Sequence, residues 1–384
     1  MDFAVSEDID HLRREIREVC ARFPGEYWRG LEPDTYPDEF VRALTAGGWL
    51  AALIPDEYGG AGLDLTRAGV ILEEINRSGG NAAVCHAQMY TMAALLRHGS
   101  DAQKASYLPR IASGELRLQA FGVTEPDAGS DTPRIETRAE RAPDGYVLHG
   151  QKVFTSRALH SDLMLVLART APASAATRTE GLSLFVVDIR APSDRLTIRP
   201  LPTMINHHTT EVFFDGLEVP HEALVGEEGQ GFRCLLDSLN AERILIAAEC
   251  IGDGRWFVER GADYAGRREV FGRPIGANQG VQFPLARAHA SVEAADLMRF
   301  RAAWLFDRGR PCGPEANMAK LLASEASWEA ANACLDTYGG YGFVREYDVE
   351  RKFRETRLYR VAPVANNLIL AYLGRHVLGM PRSF

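Results

Sequence analysis

The sequence predicts a mainly helical α+β protein built as three domains in the order helical, β, helical. Three observations carry this reading. At 384 residues the chain is longer than one ordinary hydrophobic core organises, so two or three domains follow from length. In the first block Ile9, Leu12, Ile16, Val19, Cys20 and Phe23 recur at helical spacing, with Ser6 and Asp8 as caps. The pattern pauses at the glycine-rich residues 58–63 and resumes at 70–75 and 92–96. In the second block short β-rich runs appear at 146–148, 163–167, 182–189, 196–198 and 212–214. Turn formers such as Pro143-Asp144-Gly145 and Asp215-Gly216 separate them, and no helical run intervenes, which suggests a barrel or sandwich. Long helical patterns return from about residue 230, broken near 274–280, 311–314 and 339–342. The expected boundaries are 1–115, 116–228 and 229–384.

Apolar residues make up 46% of the chain and charged residues 25%, the balance of a globular protein. A net charge of −9 argues against a nucleic-acid partner, which demands clustered Lys and Arg, yet leaves room for an anionic cofactor held by local donors. Six cysteines (Cys20, Cys85, Cys234, Cys250, Cys312, Cys334) have no paired spacing and read as packed thiols, not a disulfide frame or zinc site. The first ten residues are acidic and lack a signal pattern, and no apolar run approaches the roughly 20 residues of a membrane helix. The expectation is a cytoplasmic protein without membrane insertion.

The most informative segment is Phe121-Gly122-Val123-Thr124-Glu125-Pro126-Asp127-Ala128-Gly129-Ser130-Asp131. It leaves a predicted strand and enters a turn of small and polar residues, able to present N–H groups and hydroxyls to a flat ring or a pyrophosphate. Taken alone, it is equally a simple turn between strands. Phe271-Gly272-Arg273-Pro274-Ile275, flanked by Arg268 and Gln279, offers a cation and an amide beside a helix end. Tyr338-Gly339-Gly340-Tyr341-Gly342 permits close backbone approach. A Gly-x-Gly-x-x-Gly after a first strand is missing, so a Rossmann site is not expected.

In this order the segments resemble the acyl-CoA dehydrogenase family over essentially the whole chain, through residues 58–63, 123–131, 149–156, 213–220, 226–232, 268–286 and 339–351. The resemblance implies an N-terminal helical domain, a central β-barrel domain and a C-terminal four-helix bundle. It implies FAD as cofactor, an acyl-CoA substrate, and a homotetramer or, in some members, a dimer. By position, Phe121, Val123, Thr124, Gly129 and Ser130 would meet the flavin and its ribityl chain, Ser130 also the CoA. Phe154 and Ser156 would face the isoalloxazine; Phe154 replaces the usual Trp, keeping the stacking face and losing the indole donor. Arg268, Phe271 and Gln279 would reach a neighbouring subunit's FAD, with Gly339 and Gly340 near its pyrophosphate. Asp336 stands where many relatives carry Gln.

The reaction needs a carboxylate for the α proton. The family's commonest base is a Glu in a loop after the last glycine motif, and that position falls here on Pro363, with Ala365 where Thr is usual. Proline cannot be a base. Some members, isovaleryl-CoA dehydrogenases among them, place the base on a bundle helix, and Asn240-Ala241-Glu242-Arg243 resembles that context. The residues argue the same way: Glu242 shares a helix face with Leu235, Leu239 and Ile246, and an apolar face disfavours the charged carboxylate and makes it a better base. A buried structural ion pair is the competing role. Asn240 and Arg243 match positions that contact CoA. Pro363 also lacks the N–H that would polarise the thioester carbonyl. Either Val364 N–H substitutes, or the register is shifted by one, or a flavin hydroxyl suffices.

The expected activity is therefore FAD-dependent α,β-dehydrogenation of an acyl-CoA to the trans-2-enoyl-CoA, with electron-transfer flavoprotein reoxidising the flavin. Two rivals remain: an oxidase or dehydrogenase of the same fold acting on a carrier-bound or unusual acyl group, and a non-catalytic, flavin-free paralogue that binds a partner. His207-His208 read as surface or CoA-lining residues, since neighbours on a strand face opposite sides and seldom share a metal. Cys85, His86 and Met89 fall where the resemblance places the acyl-tail pocket, or simply pack a helix. Glu73-Glu74 read as solvated charge.

Overall fold

The computed structural model describes residues 7–172, 178–190 and 193–382; the expected cap at Ser6 lies outside them. In chain order the first elements are α1 (Glu7–Ala21), α2 (Gly25–Gly30), α3 (Asp38–Ala46), α4 (Leu65–Arg77), α5 (Ala87–His98) and α6 (Asp101–Ala112). The strands β1 (Leu118–Gly122), β2 (Arg138–Ala142), β3 (Gly145–Ser156) and β4 (Leu163–Arg169) follow. Then come β5 (Leu182–Asp188), β6 (Leu196–Pro200), β7 (Thr209–Pro220) and β8 (Leu224–Val225). The last part holds α7 (Gly231–Arg267), β9 (Glu269–Val270), β10 (Arg273–Pro274), α8 (Gln279–Asp307), α9 (Gly313–Tyr338), α10 (Val349–Arg357) and α11 (Asn366–Tyr372). The chain divides into two compact units. One comprises Met1–Pro33, Asp64–Ala82 and Asn240–Phe384, the other Asp34–Leu63 and Ala83–Leu239.

In the second unit the strands form one sheet of order β6-β7-β3-β2-β4-β5-β8, with β1 added parallel to β4. Strand alternation splits its apolar residues between two cores. Leu163, Leu165 and Leu167 of β4 and Leu182, Leu184 and Val186 of β5 pack with Met92 and Leu95 of α5 and Leu108 and Ile111 of α6. The intervening Met164, Val166 and Ala168 join Phe185, Val187, Tyr146, Leu148, Val212 and Phe214 on the opposite side. Both faces being covered explains why β4 is a continuous apolar run. Helix α6 begins with a capping box between Ser100 and Gln103, and the Gln103 amide also donates to Glu222 O (2.7 Å) and Leu224 O (2.9 Å), tying the cap to β8.

The first unit is helical, and much of its interior is charged. Glu73 and Glu74 are fully buried, correcting their reading as solvated charge. Glu73 receives Arg13 (3.1 Å), Arg299 (3.0 Å) and Arg255, while Arg17 Nε reaches Glu74 at 2.7 Å. Asp296 completes the cluster with Arg255 (2.8 Å) and Arg299 Nε (2.9 Å). A second network joins Lys352 to Asp253 (2.6 Å) and Gly80 O (2.7 Å), and Arg351 to Glu355 (2.8 Å) and Gly79 O (2.8 Å). The arginines that hydrogen-bond Glu73 and Glu74 lie far away in sequence, which a local pattern cannot reveal. Replacing Glu73 by Ala leaves buried guanidinium groups without their anion and should destabilise the fold by about 3–5 kcal/mol; denaturant unfolding measures it, and a loss within experimental error would show the cluster to be incidental.

Candidate active site

The loop after β1 is held from within. Glu125 N and O bond to Ala128 O (3.2 Å) and N (3.1 Å), closing a tight turn that leaves Gly129 and Ser130 exposed. The Glu125 carboxylate, 7% exposed, accepts from Glu136 N (2.6 Å), Thr137 N (2.9 Å) and Lys152 Nζ (2.8 Å). Lys152, on β3 and with no exposure, also donates to Val123 O at 3.0 Å. Val153 N donates to Thr124 O at 2.9 Å, so Val123 and Thr124 are bound edge to edge with the strand that carries Phe154 and Ser156. Burial alone would raise the Glu125 carboxyl, yet Lys152 and the backbone donors hold it below its usual value; burial drives Lys152 down to about 8 despite Glu125.

The register of β3 against β7 shifts between Lys152 and Thr155, and Phe154 takes a left-handed φ of 57° at that point. The result is a Phe ring 63% exposed, with Ser156 half-buried two residues on. An aromatic face is thus turned to the outside on the strand bonded to the loop. The expected flavin contacts Phe121, Val123, Thr124, Gly129, Ser130, Phe154 and Ser156 all belong to this one neighbourhood of β1, its loop and β3.

In the first unit a cleft of roughly 480 Å³ is lined by Tyr264, Arg268, Thr337, Tyr338, Gly340 and Tyr341, among others. Arg268 lies over the Tyr341 ring at 5.8 Å, and a side chain added at Gly339 or Gly340 would meet no atom within 4 Å. Those glycines leave room for a ligand to lie against the backbone, and the guanidinium supplies its charge. Phe271, at the tip of the β9–β10 hairpin, is fully exposed with φ 55°, and Gln279 opens α8 in an exposed position. Arg268 and Gly340 are therefore brought together, while Phe271 and Gln279 stand outside the cleft lining.

Glu242 lies on α7, 5% exposed, with Leu235 (4%) and Ile246 (2%) on the same stripe. Arg243 donates to Asn240 Oδ1 at 3.2 Å, and burial lowers its pKa while Glu242 raises it. Lys320 of α9, fully buried, donates to Val364 O (2.7 Å) and Asn366 Oδ1 (2.9 Å). Burial, aided by Arg243 and Arg360, brings Lys320 down to about 8 against the opposing pull of Cys250 and Glu242. Glu242 thus has two buried cations in electrostatic reach, and sequence reasoning identified only the neighbouring Arg243. The missed residues are Lys320, Lys152 and Glu125; Glu125 and Lys152 sit inside recognised motifs, but a Lys at one point and a Glu at another give no sign of pairing. The six cysteines are buried and free, and no His, Cys, Asp or Glu group among the described residues could hold a metal.

The first unit thus has a cleft that admits backbone-close contact beside an arginine, and the second has a glycine-bearing loop beside an outward aromatic. Comparison with known proteins makes this specific. Models of the acyl-CoA dehydrogenase N-terminal, middle and C-terminal domains match residues 6–115, 120–217 and 229–378. The chain is 35% identical to the acyl-CoA dehydrogenase FadE12 of Mycobacterium tuberculosis, covering 100% of this chain and 99% of the relative. It is 35% identical to an acyl-CoA dehydrogenase of Bacillus subtilis, covering 98% and 99%. A solved structure of glutaryl-CoA dehydrogenase with glutaryl-CoA superposes with a TM-score of 0.93 at 32% identity, over 100% of this chain and 98% of that one. The chain belongs to the acyl-CoA dehydrogenase family, flavin-dependent oxidoreductases that use FAD. Among the described residues no helix is long and apolar enough to cross a membrane.

Exchanging Glu125 for Gln leaves the buried Lys152 without its counter-charge and should cost about 3–5 kcal/mol, with faster loss of FAD on dilution. Because Glu125 sits below the 4.5 of an unfolded carboxyl, its contribution is full above that value and lost as pH falls through the lower, folded value. The stability gap between wild type and Glu125→Gln should therefore narrow in acid; a gap independent of pH would exclude the ion pair as its source.

Proposed function

We propose that this chain oxidises an acyl-CoA thioester between Cα and Cβ to the trans-2-enoyl-CoA, with Glu242 taking the α proton. The observation that carries the reading is the burial of Glu242 on the apolar face of α7 in a chain whose other family base position is Pro363. When bound, FAD supplies the acceptor for the β hydride at N5. Phe121, Val123, Thr124, Gly129, Ser130, Phe154 and Ser156 hold the flavin and ribityl portion in this reading, while Arg268, Phe271 and Gln279 reach a neighbouring subunit's FAD, with Gly339 and Gly340 near its pyrophosphate. Ser130, Asn240 and Arg243 bind CoA.

A carboxylate shielded from water deprotonates carbon more readily than a hydrated one, because its charge is not already satisfied. Arg243 and Lys320 lie within electrostatic reach of the Glu242 carboxylate and attract its negative charge. Lys320 also acts on the backbone, since by holding the Val364 carbonyl it fixes the turn after Pro363. The Val364 N–H makes no hydrogen bond among the described residues and serves as the donor that Pro363 cannot be. Electrons leave to an electron-transfer flavoprotein. The assembly is a homotetramer or dimer, to which the fully exposed Phe271 and the exposed Phe283 contribute apolar contact.

Glu242→Gln should purify yellow, with FAD in full ratio, and lose about 10²- to 10⁴-fold in turnover with an artificial electron acceptor. Activity near that of the wild type would remove Glu242 from the chemistry.

A further inference from the structure

Beyond Phe154 and Ser156 the second unit contains a buried cation that the dehydrogenation chemistry does not use. Arg157 has φ 59° and His208 φ 49°, and Arg157 N donates to His208 O at 2.7 Å. Two non-glycine residues in the left-handed region, bonded to one another, are strained and persist only where the surroundings impose them. The effect is to turn the Arg157 side chain inward, leaving it 2% exposed. There its Nη1 donates to Ala83 O and lies 3.4 Å from His207 Nε2. Its Nε has no partner, and no carboxylate forms an ion pair with it among the described residues.

The chain does not treat its other buried arginines in this way. Arg299 meets Glu73 and Asp296, and Arg351 meets Asp348 and Glu355. Nor do the histidines neutralise Arg157. Burial, with the charge of Arg157, holds His86 and His207 well below the ordinary imidazole value, so both rings are neutral near pH 7. Asp38 and Asp34 act on His160 and His208. With Nε2 accepting from Arg157, the hydrogen of the neutral His207 ring sits on Nδ1, and Nδ1 has no partner. A touching pair thus carries two unmet N–H donors and one uncompensated positive charge, the donor set of an anion receptor.

We propose that Arg157 and His207 form a subsite for a carboxylate carried on the acyl group, so that the preferred substrates are CoA monothioesters of dicarboxylic acids. The proposal rests on the reading of the chain as an acyl-CoA dehydrogenase whose Phe154 and Ser156 face the flavin; Arg157 is the next residue on that same turn. A carboxylate provides the missing counter-charge and accepts both hydrogens, whereas a methyl-ended acyl chain leaves both buried donors unmet.

The test uses the purified FAD-bound enzyme with pairs of acyl-CoAs of equal chain length, one ending in carboxylate and one in methyl. Both kcat/KM and binding, read from perturbation of the flavin absorption, are measured. The carboxylate member should be favoured at least tenfold. Arg157→Met should lower that ratio by roughly 10- to 100-fold; Arg157→Lys should keep part of it, and His207→Phe should reduce it several-fold. A wild-type preference for the methyl-ended member, or a ratio unmoved in Arg157→Met and His207→Phe, overturns the proposal. If no thioester reduces the flavin, the dehydrogenase reading fails, and the binding ratio alone then decides the subsite.

Discussion

The ammonium of Lys152 has no contact with water and is held by the Glu125 carboxylate at 2.8 Å and by Val123 O at 3.0 Å. That pair depends on strand β3 running beside β1, and the loop in turn depends on the pair, because Glu125 also gathers the N–H groups of Glu136 and Thr137. An ion pair out of water is expensive to assemble and strongly destabilising when half of it is removed, so it enforces one arrangement of the loop. The exposed Gly129 and Ser130, and the outward Phe154 on the same strand, are consequences of that arrangement.

Charge met by charge recurs elsewhere in the chain, in the Glu73 cluster and in the Lys352–Asp253 pair. The sites read as functional are where the rule bends. At Glu242 a buried carboxylate has cations within reach on its own helix and on α9. Around Arg157 the balance is left open, and a ligand is the natural way to close it. The other buried arginines, Arg299 and Arg351, each meet two carboxylates, which gives weight to a guanidinium left unmatched.

Much of the fold was legible because period and punctuation were clear. The helical stripe of α1, the continuous buried runs of β4 and β5, and the glycine and proline breaks at 274–280, 311–314 and 339–342 each express a local constraint. Strand β2 was not legible: Arg-Ala-Glu-Arg-Ala has little β propensity, and it is a strand because the Pro143-Asp144 turn pairs Ala142 with Gly145. The β9–β10 hairpin is too short for any period. Within the candidate site, Glu242 could be found from its position on an apolar stripe, whereas Lys320 could not, since its partners Val364 and Asn366 lie more than a helix away. The burial of Glu73 and Glu74 escaped notice for the same reason, their arginines coming from α1, α7 and α8. Arg157 was passed over because burial of a cation is invisible in composition.

The central claim is that the carboxylate of Glu242 removes the α proton. Exchange of the substrate α hydrogen for deuterium, followed by NMR in D₂O with a thioester analogue that cannot surrender a β hydride, isolates that step from flavin reduction. The wild type is predicted to wash deuterium into Cα, and the protein with Gln at position 242, still holding FAD and the analogue, to leave Cα unlabelled. Undiminished exchange in that variant would contradict the account and assign proton removal to another group.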